Sequence, residues 1–247
     1  IRLIGAFNHV HIFCDPDPNP KKSFVERQRL FEAVQGWDEY DQALLSKGGR
    51  IYDRADKIIT LTPEIMARFD IAQERVTPQD LIRAILSARA DLAWFGGIGT
   101  YVKGPGESHV DAGDKANDAL RVDADALRVR VVGEGANLGM TQAARVAFAQ
   151  AGGRVNTDFI DNSAGVDCSD HEVNTKILLS DVMSKSDMAL EARDALLAQM
   201  TDEVAALVLK DNYEQALAID VAVAGAATDA GEHEALMEAL GPVPYTH

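Results

Sequence analysis

Over the first two thirds of the chain, short apolar runs of strand length alternate with amphipathic stretches of helix length, the pattern left by successive βαβ units. The strand candidates are Val10–Cys14, Ile58–Leu61, Leu92–Phe95, Val129–Val132 and Val155–Ile160. Their near-continuous apolarity predicts strands covered on both faces, and so mainly parallel pairing. Helix starts are marked between them, because a side-chain oxygen before the first turn satisfies an amide that has no partner in the helix. Ser23 and Glu26 have the spacing of a capping box. Thr62-Pro63 and Thr77-Pro78 place proline at the first helical position, where its missing donor costs nothing. Thr141 caps a helix running to Gly152.

From Ser169 onward the texture changes. Val173, Ile177, Leu178 and Val182, and then Leu196, Leu197, Met200, Val204, Leu207 and Val208, recur at helical spacing without a further strand candidate, so residues 169–240 are expected to be helical. Thr201 with Asp202 and Glu203 restarts a helix with acids at its positive end. The small-residue stretch Ala222–Glu232 is expected to be a loose connection and residues 241–247 a disordered tail. Tyr101–Asp125, with glycine and proline early and acids late, is expected to be a long surface loop.

Charge narrows the partners. In 247 residues, 24 Lys plus Arg against 39 Asp plus Glu leave a formal charge of −15, which repels a nucleic-acid backbone and an anionic membrane surface. With 47% hydrophobic and 26% charged residues the chain has the composition of an ordinary folded domain. Two cysteines cannot form a disulfide framework and show no C-x-x-C spacing, which points to a reducing compartment and the cytoplasm. The run VAVAGAA is far shorter than the roughly 20 residues of a membrane span.

Two features suggest a nucleotide. The segment LRVRVVGEGANLGMTQAARVAFAQAGGRVNTDFID reads strand, glycine-rich turn, helix, strand, with Gly133, Gly135 and Gly139 in the turn. Glycines there let a backbone approach a ligand and aim amides at an anion on the helix N-terminus; a tight βα turn without a ligand has the same residues. Asp15, at the tip of HVHIFC, is placed to accept the ribose hydroxyls of NAD and repel a 2′-phosphate; a turn-forming aspartate in DPDP has the same sequence. A dinucleotide domain carries its glycine turn about 20 residues before that acid, yet only 14 residues precede Asp15, and Ile1–Phe7 reads as the last turns of a helix. The expected fold class is therefore α/β, a Rossmann-like, mostly parallel sheet lacking its first βα unit, in an incomplete domain over residues 1–168.

The strings DLAWFGGIGTYVKGPGE, VVGEGANLGMTQ and VNTDFIDNSAGVDCSDHEVNTKILL resemble the large NAD-specific bacterial glutamate dehydrogenases, over about Ile1 to Leu217. The resemblance implies oxidative deamination of L-glutamate to 2-oxoglutarate and ammonia, with hydride passing to NAD, in an enzyme expected to be a homo-oligomer. It places Asp15 at the adenosine ribose, Gly96 and Gly97 at a strand end bordering the cofactor, and Glu134, Gly135 and Asn137 beside the nicotinamide ribose. Asn162 matches an asparagine near the nicotinamide amide, and Ser169 a serine that contacts the substrate side-chain carboxylate. Ser163-Ala164-Gly165 stands where smaller relatives have Ala-Gly-Gly. Ser169 to Glu172 also has the form of a capping box, compatible with a carboxylate at a helix N-terminus.

The resemblance implies that the catalytic lysine and aspartate lie upstream, so no residue here is assigned as catalytic; Lys103, Lys115 and Lys176 are expected to be solvated. His109 with Asp111, Asp114 and Asp118 lacks metal-ligand spacing, and Asp167, Cys168, Asp170 and His171, close together at a helix start, are expected to point different ways. The isolated chain is expected to be inactive and to bind NAD weakly. The alternative is a noncatalytic nucleotide-binding or regulatory module.

Overall fold

In the computed structural model, which describes residues 1–186 and 188–241, the chain divides into two compact units, the first Ile1–Asp158 and the second, helical, from Phe159 onward.

The first unit opens with β1 (Gly5–Phe7) and β2 (His11–Cys14), then α1 (Pro20–Glu32), β3 (Arg50–Asp53), β4 (Ile59–Thr60), α2 (Pro63–Phe69), β5 (Arg75–Val76) and α3 (Pro78–Leu86). It continues through β6 (Ala90–Phe95), β7 (Val102–Lys103), β8 (Val122–Asp123), β9 (Val129–Glu134) and α4 (Gln142–Gln150), and α5 (Asp158–Asp161) crosses its boundary. Strands β1-β2-β3 and β4-β5 pair antiparallel, whereas β6-β9 and β7-β8 pair parallel. The expected mostly parallel sheet is thus replaced by small sheets of both kinds. One reason is local: three residues link β1 to β2, a connection that permits only a hairpin. The same hairpin makes Gly5–Phe7 a strand instead of the end of a helix. Ile12, Cys14, Ile59, Ile65, Leu81, Phe95, Val102, Val132, Met140 and Phe148 nevertheless meet in one hydrophobic core.

Four expected strands form, but Val155–Ile160 does not. Only Arg154 reaches the sheet, by a bridge to Val131, and Asp158 begins α5 with its carboxylate engaged by Arg145 and the Leu138 amide. The caps at Thr62, Thr77 and Thr141 form as the spacing predicts. Ser23 is no cap: Asn19 accepts from the Lys21 and Lys22 amides ahead of Pro20, so α1 starts earlier and Ser23 is buried inside it.

The stretch Tyr101–Asp125 is also not a surface loop. Val102, Leu120 and Val122 are buried, and β7 pairs with β8. Arg121, whose side chain is fully enclosed, donates to the Thr100 carbonyl (2.8 Å), Asp118 Oδ1 (2.7 Å), His109 Nδ1 (2.9 Å) and the Asp114 carbonyl. Lys103, expected to be solvated, is mostly buried in an ion pair with Asp123.

The second unit contains α6 (Ser163–Lys185), α7 (Leu190–Gln199) and α8 (Thr201–Leu240). Ala222–Glu232 is part of α8, not a loose connection: alanine is the strongest helix former, and the run outweighs its two glycines. Helices α6 and α8 are joined by the Asn212 amide, which donates to Ser163 Oγ (2.9 Å) and Asp167 Oδ2 (3.3 Å). The expected tail falls, except for Gly241, outside the described residues.

Candidate functional site at the carboxyl edge of the parallel strands

Parallel pairing of β6 with β9 puts Phe95 opposite Glu134, so the Gly96-Gly97 and Gly135–Asn137 segments leave the sheet side by side. The Ala136 amide donates to the Phe95 carbonyl (3.0 Å). Open α/β sheets present ligands at this carboxyl end. Gly97 faces open space, and a side chain at Gly96 would meet only Trp94. Two open concavities of about 650 and 670 Å³ lie instead toward the amino ends of these strands, beside Asp91, Arg128 and Arg130.

The glycines of the 133–139 turn have a packing explanation. A Cβ on Gly133 or Gly135 would come within 2.6 Å of the Trp94 indole, and one on Gly139 within 2.9 Å of Phe95 and Glu134 Oε1. Trp94 stands opposite Gly133 across the strand pair and lies over both glycines. The N-terminus of α4, expected to receive a ligand anion, already has a carboxylate: Glu107 accepts from the Thr141 hydroxyl and from the Gly104 amide (2.6 Å), while Thr141 Oγ accepts from Ala144. The folding of residues 101–125 brings Glu107 there.

Glu134 is completely buried. Arg145 Nε donates to its Oε2 (2.7 Å) and Nη2 to its Oε1 (2.9 Å), while the Met140 amide donates to the same Oε1 (3.1 Å). Its carboxylate therefore faces the protein, and it shapes the turn. Asn137 is exposed beside Leu138, which has a left-handed φ of +63°.

Asp15 directly follows β2 of the other sheet and is also completely buried. Its Oδ1 accepts from the Ser46 amide (3.1 Å) and hydroxyl, and its Oδ2 is a buried acceptor without a hydrogen bond. Burial, reinforced by the Asp15 charge, pushes the neighbouring Cys14 thiol well above the usual thiol range. Asn162 and Ser169 belong to the second unit. Asn162 immediately precedes α6, whose Gly165 amide donates to its carbonyl (3.2 Å). Ser169 is exposed two turns later, on the same face as Asn162. The expected capping box at Ser169 is absent because α6 starts at Ser163: Ser169 Oγ donates back to the Gly165 carbonyl (3.2 Å), and Glu172 pairs with Lys176.

The structure thus gathers Gly96, Gly97, Glu134, Gly135 and Asn137 at one edge, and puts Asp15 at the end of a strand of a separate sheet in the same unit. Arg145, Asp158, Trp94, Glu107 and Ser46 also shape these places, and sequence reasoning passed over them. One signal was available: Arg145 interrupts the inward stripe formed by Ala144 and Phe148, and a cation in an apolar stripe needs a buried partner.

Residues 1–222 match the family model for the bacterial NAD-glutamate dehydrogenase catalytic domain. The chain belongs to this glutamate dehydrogenase family. It is 56% identical over 238 residues to the NAD-specific glutamate dehydrogenase of Pseudomonas aeruginosa, covering 96% of this chain and 15% of that protein. The corresponding enzyme of Halomonas elongata is 55% identical over 223 residues, covering 90% of this chain and 14% of that protein. That of Mycobacterium tuberculosis is 50% identical over 222 residues, with shares of 87% and 14%. The chain therefore spans about one seventh of the length of these glutamate dehydrogenases. None of its helices, among the described residues, is long and apolar enough to cross a membrane.

Proposed function

We propose that this chain is the NAD-binding portion of a glutamate dehydrogenase that converts L-glutamate to 2-oxoglutarate and ammonia. The observation that carries the reading is 56% identity over nearly the whole chain to an enzyme named for that coenzyme and substrate. The coenzyme-binding part is read as residues 1–168, a Rossmann-like domain, followed by a helical segment over 169–240. The enzyme is further read as a cytoplasmic homo-oligomer.

Two features of the site suit a dinucleotide. Asp15 retains a buried oxygen without a donor, as an acid awaiting a ribose hydroxyl would, with Ser46 giving way. Gly96 and Gly97 leave the end of β6 open for a ligand to lie against backbone. NAD, when bound, supplies the hydride acceptor. The chain's own residues bind and orient: Asp15 at the adenosine ribose, Gly96 and Gly97 along the strand end, Gly135 and Asn137 beside the nicotinamide ribose, and Glu134 behind the turn. Asn162 is assigned to the nicotinamide amide and Ser169 to the glutamate side-chain carboxylate. The groups that move the amine proton are assigned to another part of the enzyme.

Calorimetric titration of NAD into the chain tests the reading, with Gly97→Val as the comparison. Open space around Gly97 lets valine fit the fold while occupying the proposed ligand position. Valine should weaken NAD binding at least tenfold with an unchanged melting temperature. Equal affinities, or no binding by the unsubstituted chain, would count against the reading, and glutamate oxidation by this chain alone would overturn the division of labour.

A further inference from the structure

In the segment Gly135–Leu138, Gly135 rests on the Trp94 indole, but the residues after it are largely turned to solvent. Gly135, Asn137 and Leu138 are exposed, and burial resumes only at Gly139 and Met140. Leu138 is nevertheless held in the left-handed region, where a residue with a Cβ is disfavoured. Its amide is held by Asp158 Oδ2 at 2.7 Å.

The arrangement behind it is a hub. Arg145, 7% exposed, sits between two carboxylates from different parts of the chain, Glu134 at 0% and Asp158 at 9%. Nε and Nη2 grip Glu134 side-on, and Nη2 also lies 3.4 Å from Asp158 Oδ1. Nη1 donates to Gln142 Oε1 (3.2 Å), fixing the guanidinium plane against its own helix. Each carboxylate then accepts a backbone amide from the turn: Glu134 Oε1 that of Met140 at 3.1 Å, and Asp158 Oδ2 that of Leu138 at 2.7 Å. One guanidinium therefore fixes the two acceptors that pin the turn at positions 138 and 140. A planar fork can hold two carboxylates in set directions, and a lysine ammonium cannot.

We propose that Arg145 is the positioning residue of the coenzyme turn: through Glu134 and Asp158 it presents the backbone of Gly135–Leu138 to the nicotinamide half of NAD. This inference rests on the coenzyme reading above and adds to it the device that shapes the site. Arg145 touches no ligand. Its effect is confined to the half of the coenzyme that the turn meets, so the adenosine half, served by Asp15 beyond the end of β2, is insensitive to it.

The test compares NAD with AMP, which lacks the nicotinamide half, in calorimetric titrations of the whole chain. Arg145→Lys should weaken NAD binding about tenfold and leave AMP binding within twofold. Arg145→Met alone strands two buried carboxylates and can unfold the chain. The neutralised variant Arg145→Met with Glu134→Gln and Asp158→Asn removes that penalty and should show the same split. Hydrogen exchange supplies a readout independent of ligand: protection at the Leu138 and Met140 amides should fall at least tenfold in both variants, while that at Leu61 and Val132, whose amides donate to the Glu74 and Arg154 carbonyls, is kept. Unchanged protection at 138 and 140, NAD affinity within twofold of the unsubstituted chain, or equal weakening of NAD and AMP would each overturn the positioning role. Binding of neither NAD nor AMP by the unsubstituted chain, with both amides protected, would instead overturn the coenzyme reading and the role resting on it.

Discussion

Gly133 illustrates how a single residue can be recognised correctly and explained differently. In sequence it belongs to a glycine-rich turn; in the fold it makes room for the Trp94 indole lying across the strand pair. An added methyl 2.6 Å from that ring leaves it two courses, to swing out or to push the strands apart. Trp94 is already 61% exposed, so the ring moves. Gly133→Ala is expected to shift Trp94 fluorescence to longer wavelength and to cost about 1 kcal/mol in a urea titration. Trp37, packed against Phe13 and Tyr40, supplies a constant background. An unchanged emission spectrum would mean that the indole does not rest on Gly133.

Individual elements owe much of their definition to their first turns. In α3, Thr77 accepts from the Asp80 amide while Asp80 Oδ2 accepts from the Thr77 amide and hydroxyl, a reciprocal capping box, and Asp80 also pairs with Arg83. The Thr77 hydroxyl, followed by Arg83, holds the Asp80 carboxyl below the usual aspartate range. A carboxyl whose folded value is depressed stabilises the fold above its unfolded pKa, and this stabilisation is lost as pH falls through the lower, folded value. Stability should therefore decline below about pH 4, and Asp80→Asn should flatten that part of the profile while leaving an α3 cap at Thr77. Denaturant midpoints measured from pH 7 down to pH 2.5 on both chains would reveal the difference; superimposable slopes would show that Asp80 does not contribute it.

Across the whole molecule, burial is unevenly divided. The first unit has the core around Ile12, Phe69, Leu81, Phe95, Val132 and Phe148, whereas Leu179 and Val208 are the buried apolar residues of the second among those described. Val173, Ile177, Leu178, Leu209, Tyr213, Val221 and Val223 on its helices are exposed. Since buried apolar area is the main favourable contribution to folding, residues 1–158 expressed alone should unfold cooperatively, with a denaturant midpoint close to that of the full chain. Residues 159–247 alone should lose helix over a broad, shallow transition. A sharp transition from the second fragment, or no transition from the first, would show that stability is distributed otherwise.

Local chemistry was legible in the sequence, because it depends on neighbours a few residues apart. The threonine caps at 62, 77 and 141, the apolar strands at β2, β4, β6 and β9, and the helical final third were readable from spacing alone. So were the strings that place the chain in its family. The tertiary structure decided what depends on groups distant along the chain: the antiparallel pairing of β2 with β3, the folding of residues 101–125 around Arg121, and the placing of Glu107 at the α4 N-terminus. It also decided that Glu134 faces Arg145, 11 residues away, and that Asp158 joins them to turn Val155–Ile160 away from a strand. A buried charge takes whichever partner the fold brings within hydrogen-bonding distance, and one-dimensional spacing holds no record of that distance.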